Sequence, residues 1–310
     1  MKNKLSVSNL LGIKYISLED IYSIFDAAET FKEVINRKIK KVPSLRDITI
    51  ANLFFENSTR TKISFELAQK RLSADVVNFS SSGSSIKKGE TLADTVNNIL
   101  SMKVDMIVIR HPSPGASVFL SKNVKSCIIN AGDGCHEHPT QALLDAFTLK
   151  SKLKDFSNKN ILIVGDILHS RVALSNILVF KKLGANVKVC GPLSLIPKYI
   201  KTLGVEYEPS LENGLKWCHV ASMLRIQNER MNQRYFPSIR EYSNLYGLDE
   251  LKLKELNKKF VILHPGPINR GVEISSSLAD SSQSVILDQV QNGVAIRMAI
   301  TYLLASKLLI

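Results

Sequence analysis

The feature that most constrains the fold is an alternation of short apolar runs with longer segments of helical periodicity. This rhythm is typical of βαβ units, in which helices connect neighbouring parallel strands. It predicts an α/β protein with two parallel β-sheets flanked by helices, one sheet in each half of the chain. The predicted strands are residues 49–54, 105–109, 127–129, 160–164, 186–189, 219–223 and 260–263.

Helical periodicity is plainest in two segments. Within residues 59–72, the side chains of Ile63, Leu67 and Ala68 fall on one face of a helix. Residues 171–183 show the same kind of periodicity and are followed by a glycine, which suits a helix C-terminus.

The length of the chain predicts two domains. It has 310 residues, and a domain contains roughly 150. A polar stretch at residues 151–160 marks the expected boundary. We therefore expect one domain at residues 1–150 and a second at 151–287. A last helix at about residues 288–310 is expected to pack back on the first domain.

The composition is that of an ordinary globular protein, with 45% hydrophobic and 22% charged residues. No sustained apolar run follows Lys2 and Lys4, so we expect no signal peptide. The longest apolar stretch, near residues 298–304, is shorter than the ~18 residues that cross a bilayer. We expect a cytoplasmic location and no membrane partner.

The formal net charge of +13 has three interpretations. A basic surface attracts nucleic acid, steers anionic substrates, or is simply a solvated surface rich in lysine. The lysines are scattered and no aromatic residues are interleaved with them. A solvated surface therefore accounts best for most of the charge, and no nucleic-acid partner is predicted.

The four cysteines show no CxxC spacing and are expected to be reduced thiols. Cys135, His136 and His138 form one cluster that suggests a metal site. A zinc site needs about four ligands in a fixed geometry. No second Cys or His pair lies nearby in the sequence, so we predict no metal.

Unusual polar residues follow the predicted strands in both halves. Open parallel sheets bind ligands beyond the carboxyl ends of their strands. If the carboxyl edges of the two sheets face a shared cleft between the domains, these residues meet there, and we expect the active site in that cleft. The segments are residues 56–61, 110–112, 138–141, 165–171, 225–227 and 264–267.

The segment from Ser58 to Thr61 has the composition of a phosphate site. Ser58 is a suitable N-cap, and the amides that follow it are unpaired donors at the positive end of a helix dipole. Thr59, Arg60 and Thr61 add hydroxyl and guanidinium donors, which suit phosphate. The alternative is an ordinary helix cap with a surface arginine.

His138 is predicted to lie at a helix N-terminus, because Pro139 is favoured at the first helical position. The dipole there disfavours the imidazolium, and a neutral ring can donate a hydrogen bond to a carbonyl oxygen. The alternative is a buried capping histidine. The P-loop and the complete dinucleotide motif are absent from the sequence, which argues against ATP and dinucleotides.

Taken together, these segments resemble the aspartate/ornithine carbamoyltransferase family. Ser-Thr-Arg-Thr at residues 58–61 is similar to the carbamoyl-phosphate signature of that family, with residues 54–57 and 64–66 extending the match. His-Pro-Thr-Gln at residues 138–141 matches its His-Pro-x-Gln motif. The motifs occur in the family's order, and the resemblance covers nearly the whole chain.

The second half resembles the aspartate branch of the family. The ornithine motifs Asp-x-Trp-x-Ser-Met-Gly and His-Cys-Leu-Pro are absent from the sequence, whereas residues 223–230 and 264–271 are similar to aspartate-branch segments. Ser84 and residues 87–91 resemble that branch's mobile loop. Cationic side chains suit the additional carboxylate of aspartate and would repel the ammonium of ornithine. The departures from the family pattern are Leu168, Val172 and residues 217–220.

The resemblance implies transfer of the carbamoyl group of carbamoyl phosphate to the amine of L-aspartate. The products are N-carbamoyl-L-aspartate and phosphate, early in pyrimidine biosynthesis, and neither a metal nor an organic cofactor is implied. Carbamoyl phosphate binds first. The amine then attacks the carbonyl carbon, fixed donors stabilise the oxyanion that develops, and the departing phosphate can take the amine proton.

The resemblance also assigns three overlapping sets of site residues. The catalytic set is Arg60, Thr61, Arg110, His138 and Gln141. The carbamoyl-phosphate set is Ser58, Thr59, Arg60, Thr61, Ser84, Lys88, Arg110, His138 and Gln141. The aspartate set is Lys88, Arg171, Arg225, Gln227, Pro265 and Gly266.

The family further implies a homotrimer whose active sites are shared between chains, with Lys88 reaching the neighbouring site. A regulatory chain or another enzyme of the pyrimidine pathway is a further expected partner. Three alternatives stay open: a non-catalytic scaffold homologue, a nucleic-acid-binding protein, and a carbamoyltransferase for another amine such as ornithine.

Overall fold

The computed structural model describes residues 4–80, 90–227 and 235–308. Within these ranges, the strands are β1 (Thr49–Phe54), β2 (Asp75–Ser80), β3 (Met106–His111), β4 (Cys127–Asp133), β5 (Asn160–Val164), β6 (Asn186–Cys190), β7 (Glu206–Tyr207), β8 (Val220–Met223) and β9 (Val261–Leu263).

The α-helices alternate with these strands along most of the chain. They are α1 (Leu18–Asn36), α2 (Thr59–Arg71), α3 (Leu92–Ser101), α4 (Ala116–Asn123), α5 (Pro139–Leu153), α6 (Arg171–Lys182), α7 (Leu211–Trp217), α8 (Ile239–Tyr246), α9 (Glu250–Leu256), α10 (Ser276–Ala279) and α11 (Ile286–Ala305). Short 3-10 helices lie at Ile13–Tyr15, Leu193–Leu195 and Ile200–Leu203. None of the described helices is both long and apolar enough to cross a membrane.

Contacts divide the chain into two compact units. Unit 1 contains the residues up to Leu144 and those from Gln291 onward, and unit 2 is Asp145–Val290. Both divisions fall inside helices, the first in α5 and the second in α11. The polar stretch at residues 151–160 includes the end of α5 and the turn before β5.

The sheet of unit 1 has the strand order β2-β1-β3-β4, and every pair is parallel. Phe54 at the end of β1 lies opposite Arg110 in β3. The amide of Phe55 then donates to the Arg110 carbonyl at 2.9 Å. The carboxyl ends of these two strands are therefore level, and the segment that follows β1 begins beside Arg110.

The helix α2 buries Phe65, Ala68 and Gln69. The helix predicted here is confirmed, and of the three side chains on its predicted apolar face Ala68 is buried, whereas Ile63 and Leu67 are 56% and 38% exposed. Gln69 is buried because it exchanges two hydrogen bonds of 2.8 Å with Asn52 in the middle of β1. A satisfied polar pair thus occupies a position that hydrophobic periodicity assigns to apolar side chains.

The sheet of unit 2 has the strand order β7-β6-β5-β8-β9, again with every pair parallel. Val164 at the end of β5 lies opposite Cys190 in β6 and Met223 in β8, so these strands also end level. Leu162, Val164, Met223 and Cys190 belong to the buried core of this unit. The prediction of two parallel sheets flanked by helices is confirmed.

Candidate active site

The first turn of α2 presents the Ser-Thr-Arg-Thr segment. Ser58 occupies the N-cap position, with φ −160° and ψ 84°, but its side chain makes no capping hydrogen bond to the described helix. Thr59 and Arg60 are exposed, and Thr61 is half-buried. The first-turn amides of a helix have no partner within the helix, and its dipole is positive at this end. Donors of this kind suit an anion.

Arg110 is held beside this turn by contacts from three elements. Its Nε donates to Glu56 Oε1 at 2.6 Å, and its Nη1 donates to Thr61 Oγ1 at 3.3 Å. A third contact joins Nη1 to the carbonyl oxygen of Ala131 in β4 at 3.5 Å. The ion pair with Glu56 fixes the plane of the guanidinium, which gives directional donors next to the helix N-terminus.

The connection from β4 to α5 is organised by the buried carboxylate of Asp133. Its Oδ2 accepts from the Gly115 amide at 2.7 Å and lies 3.1 Å from His136 Nδ1, while its Oδ1 accepts from Asn130 Nδ2 at 2.9 Å. Burial raises the pKa of Asp133, but these hydrogen bonds outweigh it and hold the pKa below its ordinary value. The hydrogen bond to Asp133 raises the pKa of His136.

His138 and Gln141 lie at the start of α5, directly after this connection. His138 is 4% exposed and Gln141 is 9% exposed. The His138 carbonyl accepts from the Gln141 amide at 3.0 Å and from the Ala142 amide at 3.2 Å, which starts the helix. His138 thus lies at the N-terminal end of α5, which is the positive end of the helix dipole.

Arg171 is the first residue of α6 and is 3% exposed. Ser170 caps this helix, because its side chain accepts from the Ala173 amide at 3.2 Å. Between β5 and α6, the buried carboxylate of Asp166 accepts from the amide and ring of His169 at 3.0–3.2 Å. This turn places a buried cation at the carboxyl edge of the unit 2 sheet.

Asp166 also connects this turn to the segment that follows β8. Burial raises the pKa of Asp166, and hydrogen bonds from His169 and from the Gln227 amide oppose that effect. The Leu224 amide continues the β-ladder by donating to the Val164 carbonyl at 2.8 Å. Arg225 and Gln227 follow this strand end, and both are half-buried. The hydrogen bond from the Gln227 amide to Asp166 connects them to the turn before Arg171.

The segment after β9 carries Pro265 and Gly266, and His264 fixes its shape. The Gly266 amide donates to His264 Nδ1 at 2.8 Å, so the ring proton lies on Nε2. Nε2 donates to Glu273 Oε1 at 3.1 Å, and the His264 amide donates to Gln289 Oε1 at 3.0 Å. Gly266 adopts φ +63°, a conformation that favours glycine.

The structure brings Thr61 and Arg110 into direct contact in unit 1, and it ties the Arg171 turn to the Gln227 segment in unit 2. Ser84 and Lys88, and residues 228–230 of the second-half motif, lie outside the described residues. Carboxylates hold the predicted cations and loops in place. The sequence interpretation included Glu56 and Asp166 only as members of polar segments, and it did not single out Asp133, Glu137 or Glu273. Their signal was their position next to a predicted site residue or strand end.

Among residues 4–80, 90–227 and 235–308, no group of three or more His, Cys, Asp or Glu side chains is arranged to hold a metal ion. Cys135 is exposed, and His136 contacts Asp133.

Family models match both halves of the chain. Residues 8–151 match the carbamoyl-P binding domain of aspartate/ornithine carbamoyltransferase, and residues 157–304 match the Asp/Orn binding domain. The chain therefore belongs to the aspartate/ornithine carbamoyltransferase family. The resemblance predicted from the sequence motifs is confirmed.

The individual relatives are named as aspartate carbamoyltransferases, which are also called aspartate transcarbamoylases. The aspartate carbamoyltransferase catalytic subunit of Flavobacterium psychrophilum is 72% identical over 305 residues, which cover 98% of this chain and 99% of that one. The crystal structure of aspartate transcarbamoylase from Trypanosoma cruzi with carbamoyl phosphate and aspartate is similar with a TM-score of 0.85 at 29% identity, covering 95% and 96% of the two chains. The catalytic subunit of M. jannaschii aspartate transcarbamoylase is similar with a TM-score of 0.83 at 34% identity, and the match covers 97% of this chain and 99% of that one.

Proposed function

We propose that this chain transfers the carbamoyl group of carbamoyl phosphate to the amine of L-aspartate. The observation that carries the proposal is the arrangement of hydrogen-bond donors in unit 1. There, the N-terminus of α2 lies beside a guanidinium that Glu56 and Thr61 hold in place. The names of the similar proteins support aspartate as the acceptor.

The residues of the unit 1 site divide into three roles in this proposal. The phosphate accepts hydrogen bonds from the first turn of α2, to which Ser58, Thr59 and Thr61 add hydroxyl donors, and from Arg110. The carbonyl oxygen faces Arg60 and His138, which stabilise the oxyanion as it develops. Gln141 orients the carbamoyl NH2 group. Donors that are already positioned before the reaction cost no reorganisation during it.

Unit 2 binds the acceptor, L-aspartate, in this proposal. Arg171 and Arg225 pair with the two carboxylates of aspartate, and Gln227 and the backbone of Pro265–Gly266 complete its hydrogen bonds. The amine attacks the carbonyl carbon, a new C–N bond forms, and the C–O bond to phosphate breaks. The departing phosphate takes the amine proton, so no side chain has to serve as a general base.

The stoichiometry of the reaction tests this function. The purified protein with carbamoyl phosphate and L-aspartate should release one phosphate for each N-carbamoyl-L-aspartate formed, and treatment with a chelator should not change the rate. Phosphate release without carbamoylated product would indicate hydrolysis and contradict the proposal. Loss of activity on chelation, restored by a metal, would contradict the metal-free mechanism.

The proposed assembly is a cytoplasmic homotrimer with shared active sites. Ile63 and Leu67 on α2 and Val77 on the edge strand β2 are exposed, at 56%, 38% and 48%. Apolar side chains on neighbouring exposed elements support a contact with another chain. Residues 81–89, which follow β2 directly, contain Ser84 and Lys88. The relatives named catalytic subunits support an additional regulatory partner.

Mixed trimers test the sharing of sites. Lys88→Ala and His138→Ala proteins should each be nearly inactive, because each lacks one part of every site. After dissociation, mixing in equal amounts and reassembly, an intact His138 chain should adjoin an intact Lys88 chain at roughly a quarter of sites. Activity should return to about that fraction of the unaltered enzyme, as measured by carbamoyl aspartate formation.

The control is the same mixture without dissociation, which should stay inactive. If chain exchange is verified by mass and no activity returns, Lys88 acts within its own chain or has no role, and the shared site is wrong.

A further inference from the structure

The side chain of Glu137, which directly precedes His138, is buried against the N-terminal segment of the chain. It is 1% exposed. Its Oε2 accepts from the Ile13 amide at 2.7 Å, and its Oε1 lies 3.4 Å from the Lys14 amide. A carboxylate at the start of the 3-10 helix Ile13–Tyr15 satisfies amides that have no partner within that helix. This contact spans more than 120 residues of sequence.

The N-terminal segment is itself fixed to the sheet of unit 1. The Leu10 amide donates to the Ile128 carbonyl at 2.9 Å, and the Asn130 amide donates to the Leu10 carbonyl at 2.8 Å. Asn130 Nδ2 also donates to the Leu11 carbonyl at 2.9 Å. The segment therefore runs parallel to β4 as a short extension of the sheet and forms a rigid support for Glu137.

The backbone of Glu137 is held by a different partner. Its amide donates to Asp133 Oδ1 at 3.1 Å, and its carbonyl accepts from the Asp133 amide at 3.1 Å. Backbone and side chain are thus fixed by separate partners, and the next residue is His138. Because the backbone and the side chain of Glu137 are both fixed, the Cα of His138 has little freedom to move.

Gly12 is in contact with the Glu137 carboxylate. A Cβ at position 12 would lie 2.3 Å from Glu137 Oε1 and 2.8 Å from its Cδ. The backbone of Gly12 is extended, with φ −178° and ψ 165°, which any residue adopts. An alanine at this position therefore requires the Glu137 carboxylate to shift. To reach van der Waals distance, the two groups must separate by about 1 Å.

We propose that Glu137 is a positioning residue, which transmits the placement of the N-terminal segment to the imidazole of His138. The inference rests on the proposed function, in which His138 donates a hydrogen bond to the carbonyl oxygen of carbamoyl phosphate. The phosphate is bound by α2 and Arg110 instead. Displacement of Glu137 should consequently affect turnover more than the binding of carbamoyl phosphate.

Gly12→Ala should lower kcat by at most about 10²-fold, which is the effect of a full 1 Å misplacement of the imidazole in the reacting geometry. The KM for carbamoyl phosphate should change much less. Glu137→Ala should lower kcat to a similar extent. In the double variant, the Glu137 carboxylate no longer obstructs the new methyl group. Gly12→Ala should therefore lower kcat by less than about twofold relative to Glu137→Ala alone. Steady-state kinetics of the four proteins measures this coupling.

Two further variants keep the test decisive if Gly12→Ala does not fold. Glu137→Gln keeps the shape and one acceptor for the Ile13 amide, but its NH2 group cannot accept from Lys14. We expect kcat to fall by about threefold to tenfold in a fully folded protein. Ser8→Ala alters an exposed side chain of the same segment and should leave kcat unchanged.

The outcomes separate this inference from the function on which it rests. An unaltered protein that forms no carbamoyl aspartate overturns the proposed function and this inference with it. If the unaltered protein is active, equal effects of Gly12→Ala with and without Glu137 overturn the inference alone. A lowered melting temperature with unchanged kcat in Gly12→Ala and Glu137→Gln also overturns it, because the contact would then be structural only.

Discussion

Arg60→Ala should lower kcat by about 10²–10³-fold, the usual effect of losing one donor to a developing oxyanion. Arg60 is the second residue of α2 and is exposed at the turn proposed to bind phosphate. The phosphate keeps the helix amides and Arg110, so the binding of carbamoyl phosphate should weaken far less than turnover. Steady-state kinetics together with titration of carbamoyl phosphate measures both effects.

Lys70→Ala is the matched control for Arg60→Ala. Lys70 is a cation on the same helix, and its exposed side chain pairs with Glu66 at 2.7 Å. Such a pair contributes only about 0.3–0.5 kcal/mol to stability, so kcat should not change. A normal kcat in Arg60→Ala, with altered affinity only, would mean that Arg60 binds phosphate and does not stabilise the oxyanion.

Arg225→Ala should raise the KM for aspartate by about 10²-fold, because hydrogen bonds to a charged group contribute about 1.5–3 kcal/mol each. Arg225 follows β8 in unit 2, whereas the proposed carbamoyl-phosphate site lies in unit 1. The dissociation constant of carbamoyl phosphate should therefore stay close to that of the unaltered protein. Titration of each substrate separates the two effects.

Arg240→Ala is the control for the change in net charge. Arg240 is an exposed cation on α8 of the same unit. Its loss lowers the formal charge of +13 by one, as the loss of Arg225 does. If the two variants raise the KM for aspartate equally, the basic field of the protein attracts the substrate and Arg225 has no specific contact with it.

The class of fold could be predicted from the sequence because buried parallel strands form uninterrupted apolar runs. The strand β5 was predicted with the bounds that it has, and four of its five residues are buried. The edge strand β2 was missed, because its polar residues and its exposed Val77 do not form such a run. Edge strands pack on one side only, so their pattern is weak.

The strand β4 was predicted too short for a different reason. Its second half contains Asn130 and Asp133, which are buried although polar. Asn130 donates to the Leu11 carbonyl and to Asp133, both at 2.9 Å. The partner in the N-terminal segment is 119 residues away. Local patterns contain no information about such a partner, so a buried polar strand end resembles a loop.

Prediction of the site was limited in the same way. Cations and hydroxyls form recognisable short motifs, and these placed Arg110 and Thr61 among the candidate residues. The carboxylates that hold these donors and the nearby backbone act through tertiary contacts. Glu56 is 54 residues from Arg110, and Glu137 is 124 residues from Ile13. Spacing in the sequence reveals which donors are available, and the fold determines which acceptors fix their directions.

The acceptor specificity of the purified protein tests the central claim most directly. Carbamoyl phosphate is supplied with equal concentrations of L-aspartate, L-ornithine or other amines, and the carbamoylated product is measured by mass spectrometry. Aspartate should be carbamoylated. Ornithine should react at least about 10³-fold more slowly, because its side chain offers no carboxylate to pair with the cations of the acceptor site. Equal turnover of ornithine, or no carbamoylated product from aspartate, would contradict the account.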